Sequence, residues 1–455
     1  MNKAAYIIPA IILATGAVSS CNDVKPETAN RTTQVRSDNQ NSERAIHFEI
    51  KSDRQYPLIE FLTEYPLPEA LDEFKKGMVA KAVLQQKALE EKLGRRGIVP
   101  GFRKVNYLYK STGVNGEPIV LSATACWRGY FEDGKWNDIE PDDICLMEHY
   151  TITSDAECPS NSFPLEMFVT GNTLTLMPDH LGYGETSGMP HPYLDYGVCA
   201  ENSIDALEAG NAMFGEVSKC GMAEGWELYI AGASQGAGNA LAAHMYMEFH
   251  TEIARKWNFA KTVCSSGPFS PVITFERYIA DEKVVYPVVF PLVVKAMFAS
   301  NPEIMEGFTE EMVYSDNYLT AKQEIDRMIA SKEYDTAAIN RIFLEKVKKR
   351  NDGDIAGNEI YLSDILSPAM MDKESDIAKA FRLCLLKNEL TLGWQPQHPI
   401  KIHYSAADKV VPHENALAVQ EAFGDKIVTI EETAMPADHT TACTLWMTEL
   451  FSKGF

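Results

Sequence analysis

The sequence predicts an α/β fold: a doubly wound, mostly parallel sheet with a helical cap inserted after the sixth strand. Three observations predict it. Short apolar runs alternate with helical stretches, the pattern of strands connected by crossover helices. One run ends in a Gly-x-Ser-x-Gly turn, Gly232-Ala-Ser234-Gln-Gly236, that opens into a small-residue helix. Late in the chain, a stretch rich in Met, Phe and Tyr interrupts the alternation before it resumes.

The elements follow in order. Met1-Asn-Lys3 and the apolar run Ala4–Val18 end at Ser19-Ser20-Cys21. The run is too short to span a bilayer as a helix. A cysteine placed directly after small residues looks like the cleavage box of a bacterial lipoprotein signal. Residues 1–20 are therefore expected to be removed and Cys21 to carry lipid. The expectation is a chain anchored in the bacterial cell envelope, at the outer membrane. Residues 21–45 are polar and lack an apolar period, as in a flexible tether.

A first core segment spans residues 46–268. Pro68–Lys92 has helical spacing of Leu71, Phe74, Met78, Val79, Ala82 and Leu89. Val105–Tyr109 and Pro118–Ser122 are strands joined around Asn115-Gly116, a hairpin signal. Cys145–Thr151, Thr173–Met177, Trp226–Ala231 and Lys261–Cys264 are further strands, with helices at Cys199–Phe214 and Gly236–Phe249. Residues 269–392 form the cap, in which Tyr286–Phe298 is strongly apolar, a lining suited to an acyl group. Residues 393–455 resume the core, with strands at His398–Ser405 and Lys426–Ile430.

Composition narrows the function classes. Lys and Arg number 42 against 64 Asp and Glu, giving a formal net charge of −22. Such a surface disfavours nucleic acid and anionic membranes. Of nine cysteines none forms a CxxC pair, so neither a zinc nor a redox site is expected.

The turn at Ser234 points to nucleophilic catalysis. A serine nucleophile projects from a strained strand-to-helix turn, and the chain passes so close to itself that glycines flank it. The hydroxyl needs a histidine to take its proton and a carboxylate to orient that histidine. After Ser234 the chain offers Asp408, in the loop after the strand His398–Ser405, and His439, in the loop after Lys426–Ile430. His149, His180 and His191 precede the serine, His403 lies inside a strand, and His413 follows Pro412 at a helix start. Asp438 is expected to cap a loop rather than orient His439. The oxyanion of acyl transfer needs two N–H donors. Gln235, first in the helix, is one candidate, and Thr151, at the exit of the third strand, is the other.

At this point the residues resemble a known family, the secretory lipases of the α/β-hydrolase fold, first described from fungi. The hairpin Tyr107–Pro118, the segment Glu148-His-Tyr-Thr151 with Cys158-Pro-Ser160, and Met177–Gly184 with His191–Leu194 carry the likeness. With the loops of Ser234, Asp408 and His439 it covers Phe102–Pro271 and Gln395–Trp446. The chain departs at Tyr150, where the family usually has glycine. The resemblance implies hydrolysis of carboxylic esters with no metal or cofactor. Two other readings stay open at the level of sequence: a serine peptidase of related fold, and an inactive surface lipoprotein that binds ligands.

Overall fold

The computed structural model describes residues 47–67, 71–349 and 358–455. The expected signal segment, Cys21 with its expected lipid, and the whole of the expected tether lie outside them. Among the described residues no helix is long and apolar enough to cross a membrane.

In chain order the strands are β1 (Phe48–Pro57), β2 (Val99–Thr112), β3 (Pro118–Glu132), β4 (Lys135–Asp138), β5 (Asp143–Glu148) and β6 (Thr173–Pro178). They continue as β7 (Leu228–Ala233), β8 (Phe259–Ser265), β9 (Lys283–Val284), β10 (Ile360–Tyr361), β11 (Ile400–Tyr404) and β12 (Val428–Glu432). Among the described residues β9 and β10 pair only with each other. The other strands form one sheet in the order β1-β2-β3-β6-β5-β7-β8-β11-β12, with β4 folded onto β3. Pairs from β1 to β6 along that order are antiparallel. Every pair from β6 to β12 is parallel.

All eight expected strands are present. β1 and β4 were not expected, so the helical insertion follows the eighth strand in chain order rather than the sixth. β1 carries Glu49, Lys51, Asp53 and Arg54 and sits at the sheet edge. Charges discourage further pairing there, but they also erase the apolar alternation by which a strand is read.

The central strands are buried on both faces, and their side chains alternate between two cores. Ile144 and Leu146 of β5, with Ile230 of β7, belong to the core beneath the helices Tyr196–Val217 and Gln235–Phe249. Cys145 and Met147, with Ala231 and Ala233, belong to a second core. Leu58, Leu62, Trp446 and Met447 from the helices Leu58–Glu64 and His439–Lys453 close that face.

Between β8 and β11 the chain is mainly helical, from Pro271–Asp281 and Val289–Ser300 through Asp316–Ser331 to Asp376–Leu386. Its buried residues, among them Phe290, Tyr318, Phe343 and Phe381, are continuous with the first core. The eight described cysteines are free thiols, seven of them buried.

Candidate active site

The site begins with a forced turn. Ser234 follows the last residue of β7 at φ 55° and ψ −125°, a left-handed conformation that costs a non-glycine residue energy. Its N–H donates to Ser265 O of β8 at 2.9 Å, which ties the turn to the sheet. The flanking glycines are steric necessities. A Cβ on Gly232 would lie 2.3 Å from Gly236 O, and one on Gly236 would lie 2.2 Å from Glu148 O.

Two loops deliver the partners of the serine. Asp408 lies in the loop after β11, and His439 opens the helix His439–Lys453. His439 Nε2 is 2.8 Å from Ser234 Oγ, and His439 Nδ1 is 2.7 Å from Asp408 Oδ2. The other carboxylate oxygen, Oδ1, accepts the N–H groups of Val410 and Val411 at 2.8 and 2.9 Å. Asp408 is buried, and Ser234 is partly exposed. Asp438 caps the helix by accepting the N–H of Thr441 at 2.9 Å. His403 is a buried strand residue, and His413 precedes the helix Glu414–Phe423.

The two candidate oxyanion donors are Gln235, next to the serine in the chain, and Thr151. Gln235 is the first helical residue, so its N–H has no acceptor one turn back. Its buried side chain donates from Nε2 to His191 Nε2 at 2.6 Å. His191 in turn donates from Nδ1 to Leu181 O at 2.8 Å, which fixes the neutral tautomer. Burial holds the His191 imidazole well below its ordinary pKa, so it stays an acceptor. Thr151 lies three residues beyond the end of β5, because the strand is shorter than the sequence suggests. Its hydroxyl is 2.8 Å from Tyr193 Oη, and it shares a cavity wall with Ser234.

That cavity holds about 720 Å³ of empty space, its mouth included. Thr151, Tyr193 and Ser234 line it together with cap residues, among them Phe275, Phe290, Val293, Val294, Phe381 and Leu385, and no charged residue among the described ones does. The Tyr278 hydroxyl donates to Val410 O and so joins the cap to the Asp408 loop.

No family model matches the chain, and no curated protein matches it. Solved structures do. A ligand-bound form of the rice cell wall degrading esterase LipA from Xanthomonas oryzae superposes with a TM-score of 0.64 at 18% identity, covering 89% of this chain and 97% of that one. Another LipA structure gives 0.61 at 20% identity, covering 81% and 92%. The Legionella pneumophila protein lpg1103 gives 0.59 at 16% identity, covering 78% and 90%.

The chain has the α/β-hydrolase fold.

Within this hydrolase fold, sequence reasoning missed two residues that shape the site. Ser405, the residue just after β11, donates from Oγ to Ala437 O at 2.7 Å and accepts the Ala437 N–H at 3.1 Å. It stitches the Asp408 loop to the loop that presents His439. His191 orients Gln235 across 44 positions of sequence. Neither residue carries a local signal, because a lone serine or histidine declares its partner only when the chain is folded.

Proposed function

We propose that this chain is a serine hydrolase of carboxylic esters, acting through an acyl-enzyme on esters with an apolar acyl group. One observation carries the proposal: His439 bridges Ser234 Oγ and Asp408 at 2.8 and 2.7 Å beside an uncharged cavity. His439 Nε2 takes the hydroxyl proton as Ser234 Oγ bonds to the ester carbonyl carbon. Asp408 accepts the Nδ1–H and stabilises the imidazolium. The carbonyl oxygen becomes an oxyanion, held by the N–H groups of Gln235 and Thr151. The intermediate collapses, and His439 gives its proton to the departing alcohol. Water, deprotonated by His439, then releases the acid and restores the serine.

The acyl assignment rests on the cavity lining. Buried apolar walls favour a hydrocarbon chain at about 0.8 kcal/mol per methylene. They offer a sugar few partners for its hydroxyls, most of which would lose hydrogen bonds on entry. The test is hydrolysis of p-nitrophenyl esters from C2 to C16, with Ser234→Ala as the blank. The expected kcat/KM rises with chain length beyond C4. Hydrolysis confined to acetyl esters would contradict the acyl assignment, and equal rates in the blank would contradict the mechanism.

We also propose that Cys21 is lipidated and that the chain sits in a bacterial cell envelope, as Val18-Ser-Ser-Cys21 suggests. Expression of the full chain and its Cys21→Ala variant, followed by detergent phase partition, tests this. Partition of both into the aqueous phase would end the proposal.

A further inference from the structure

A second histidine cluster lies at the opposite end of the helix that begins beside Ser234. His244 and Glu248 stand four residues apart on the helix Gln235–Phe249, which puts them on one face. His398 comes from the segment that enters β11. His244 Nε2 lies 3.2 Å from Glu248 Oε1, and His398 Nδ1 lies 2.9 Å from the same oxygen. One potential ligand atom from each residue lies within 4.8 Å of the other two.

These separations suit an ion at the centre. Zn²⁺ bonds nitrogen and oxygen at about 2.0–2.2 Å in tetrahedral sites, which puts its ligand atoms about 3.4 Å apart. The surroundings fit as well. His244 is fully buried, and its other ring nitrogen, Nδ1, is 2.9 Å from Thr262 Oγ1. Such a second contact is how proteins fix the orientation of a ligating imidazole. The rings of Phe259 and Trp394 pack against His244. The His398 side chain is 32% exposed, which opens a route from solvent and room for a water ligand. Glu248 Oε1 also accepts the N–H groups of Gln397 and His398 at 2.7 and 2.9 Å. All four of these contacts fall on Oε1.

We propose that His244, Glu248 and His398 form a structural site for a divalent transition-metal ion, Zn²⁺ being the best match. Two neutral imidazoles and one carboxylate supply three ligands, and water supplies the fourth. The ion locks the far end of the nucleophile helix to the start of β11 and, through Thr262, to β8. Fourteen residues at about 1.5 Å each put Glu248 about 21 Å along the helix from Ser234. The site is therefore remote from ester chemistry and independent of the function proposed above. It escaped the sequence because it uses no cysteine and its halves are 150 residues apart. The other His–carboxylate cluster, His403 with Glu431 and Glu449, differs in kind. Lys401 lies 3.2 and 3.3 Å from its two carboxylates and already supplies their counter-charge.

The test uses the tag-free full chain, stripped with a chelator and titrated with Co²⁺ and then Zn²⁺. The expected result is one equivalent of Co²⁺ with the visible absorption of a four- or five-coordinate ion, displaced by Zn²⁺. Zn²⁺ should also raise the melting temperature, because an ion that binds only the folded state stabilises it. His398→Ala and Glu248→Gln should weaken binding by ~100-fold or more, since losing even an outer partner of a ligand costs about 10- to 100-fold. His398→Ala changes a half-exposed residue, so it remains informative if Glu248→Gln fails to fold. A folded wild-type chain that binds no stoichiometric ion would overturn the proposal and leave a hydrogen-bonded His–Glu–His clamp. Equal binding by wild type and His398→Ala would overturn it as well.

Discussion

The two walls of the candidate active-site cleft are built by opposite means. The sheet wall is polar and over-determined. Ser234 is strained, its glycines admit no Cβ, Asp408 accepts two further backbone hydrogen bonds, and the loop before His439 is tied at Ala437 to Ser405. The cap wall is apolar and held by packing, with Phe290 and Phe381 buried in a core continuous with the sheet. In the proposed mechanism, strain and tight hydrogen bonding fix where a proton moves, and they tolerate almost no substitution. Packing sets only the volume available to a substrate, and it tolerates changes that keep that volume. Changes to the sheet wall should therefore abolish catalysis whatever the substrate, whereas changes to the cap should alter which substrate is used.

The largest effects test the sheet wall. Ser234→Ala and His439→Ala should each lower kcat by about 10⁴- to 10⁶-fold, with the melting temperature little changed. Asp408→Asn should cost about 10⁴-fold, because it leaves His439 in the wrong tautomer. Steady-state kinetics beside thermal melts check these, and a loss under tenfold in any of them would remove that residue from the proposed machinery. Ser405→Ala should cost up to about 10²-fold in kcat with KM retained, since a shift of about 1 Å in a catalytic group has that effect. An unchanged kcat would show that the Asp408 and His439 loops hold their places without that stitch.

Val293→Phe tests the cap wall by filling part of the cavity. Long-chain esters should lose about tenfold or more in kcat/KM, while the C2 ester stays within about twofold. Uniform loss across the series would mean that the cap supports the catalytic groups as well as shaping the pocket.

The smallest effect concerns Glu166, a buried side chain whose Oε1 has no partner among the described residues. Burial pushes its pKa up to about 7. The unfolded value is near 4.3, so between those values the folded state binds the extra proton. This contribution to stability is therefore fully present below about pH 4 and is lost as pH rises through 7. Glu166→Gln should raise the melting temperature by a few degrees at pH 8 and by less at pH 5. An equal shift at both pH values would contradict buried ionisation as the cause.

The same contrast explains what could be read from the sequence. The parallel strands were legible because burial on both faces makes them apolar runs, as in Leu228–Ala233. The turn at Ser234 was legible because steric exclusion leaves glycine alone at two positions. Asp408 and His439 were chosen from chain order, and the structure places His439 within hydrogen-bond distance of both Ser234 and Asp408. β1 was not, since its charges suit a sheet edge, and β4 is only four residues long. The contacts that tune the site were not legible either. The Gln235–His191, Ser405–Ala437 and Thr151–Tyr193 bonds each join residues more than thirty positions apart, and no local pattern encodes them. The cap could be recognised as helical and apolar, but which of its side chains face the cavity depends on tertiary packing.

The central claim is that Ser234 attacks esters whose acyl chain enters the cap. The most direct measurement is the intact mass of the folded chain after reaction with long- and short-alkyl fluorophosphonates. The account predicts a single adduct that maps to the peptide containing Ser234, is absent from Ser234→Ala, and forms faster with the long-alkyl reagent. No adduct on the folded chain, or an adduct on another residue, would contradict it.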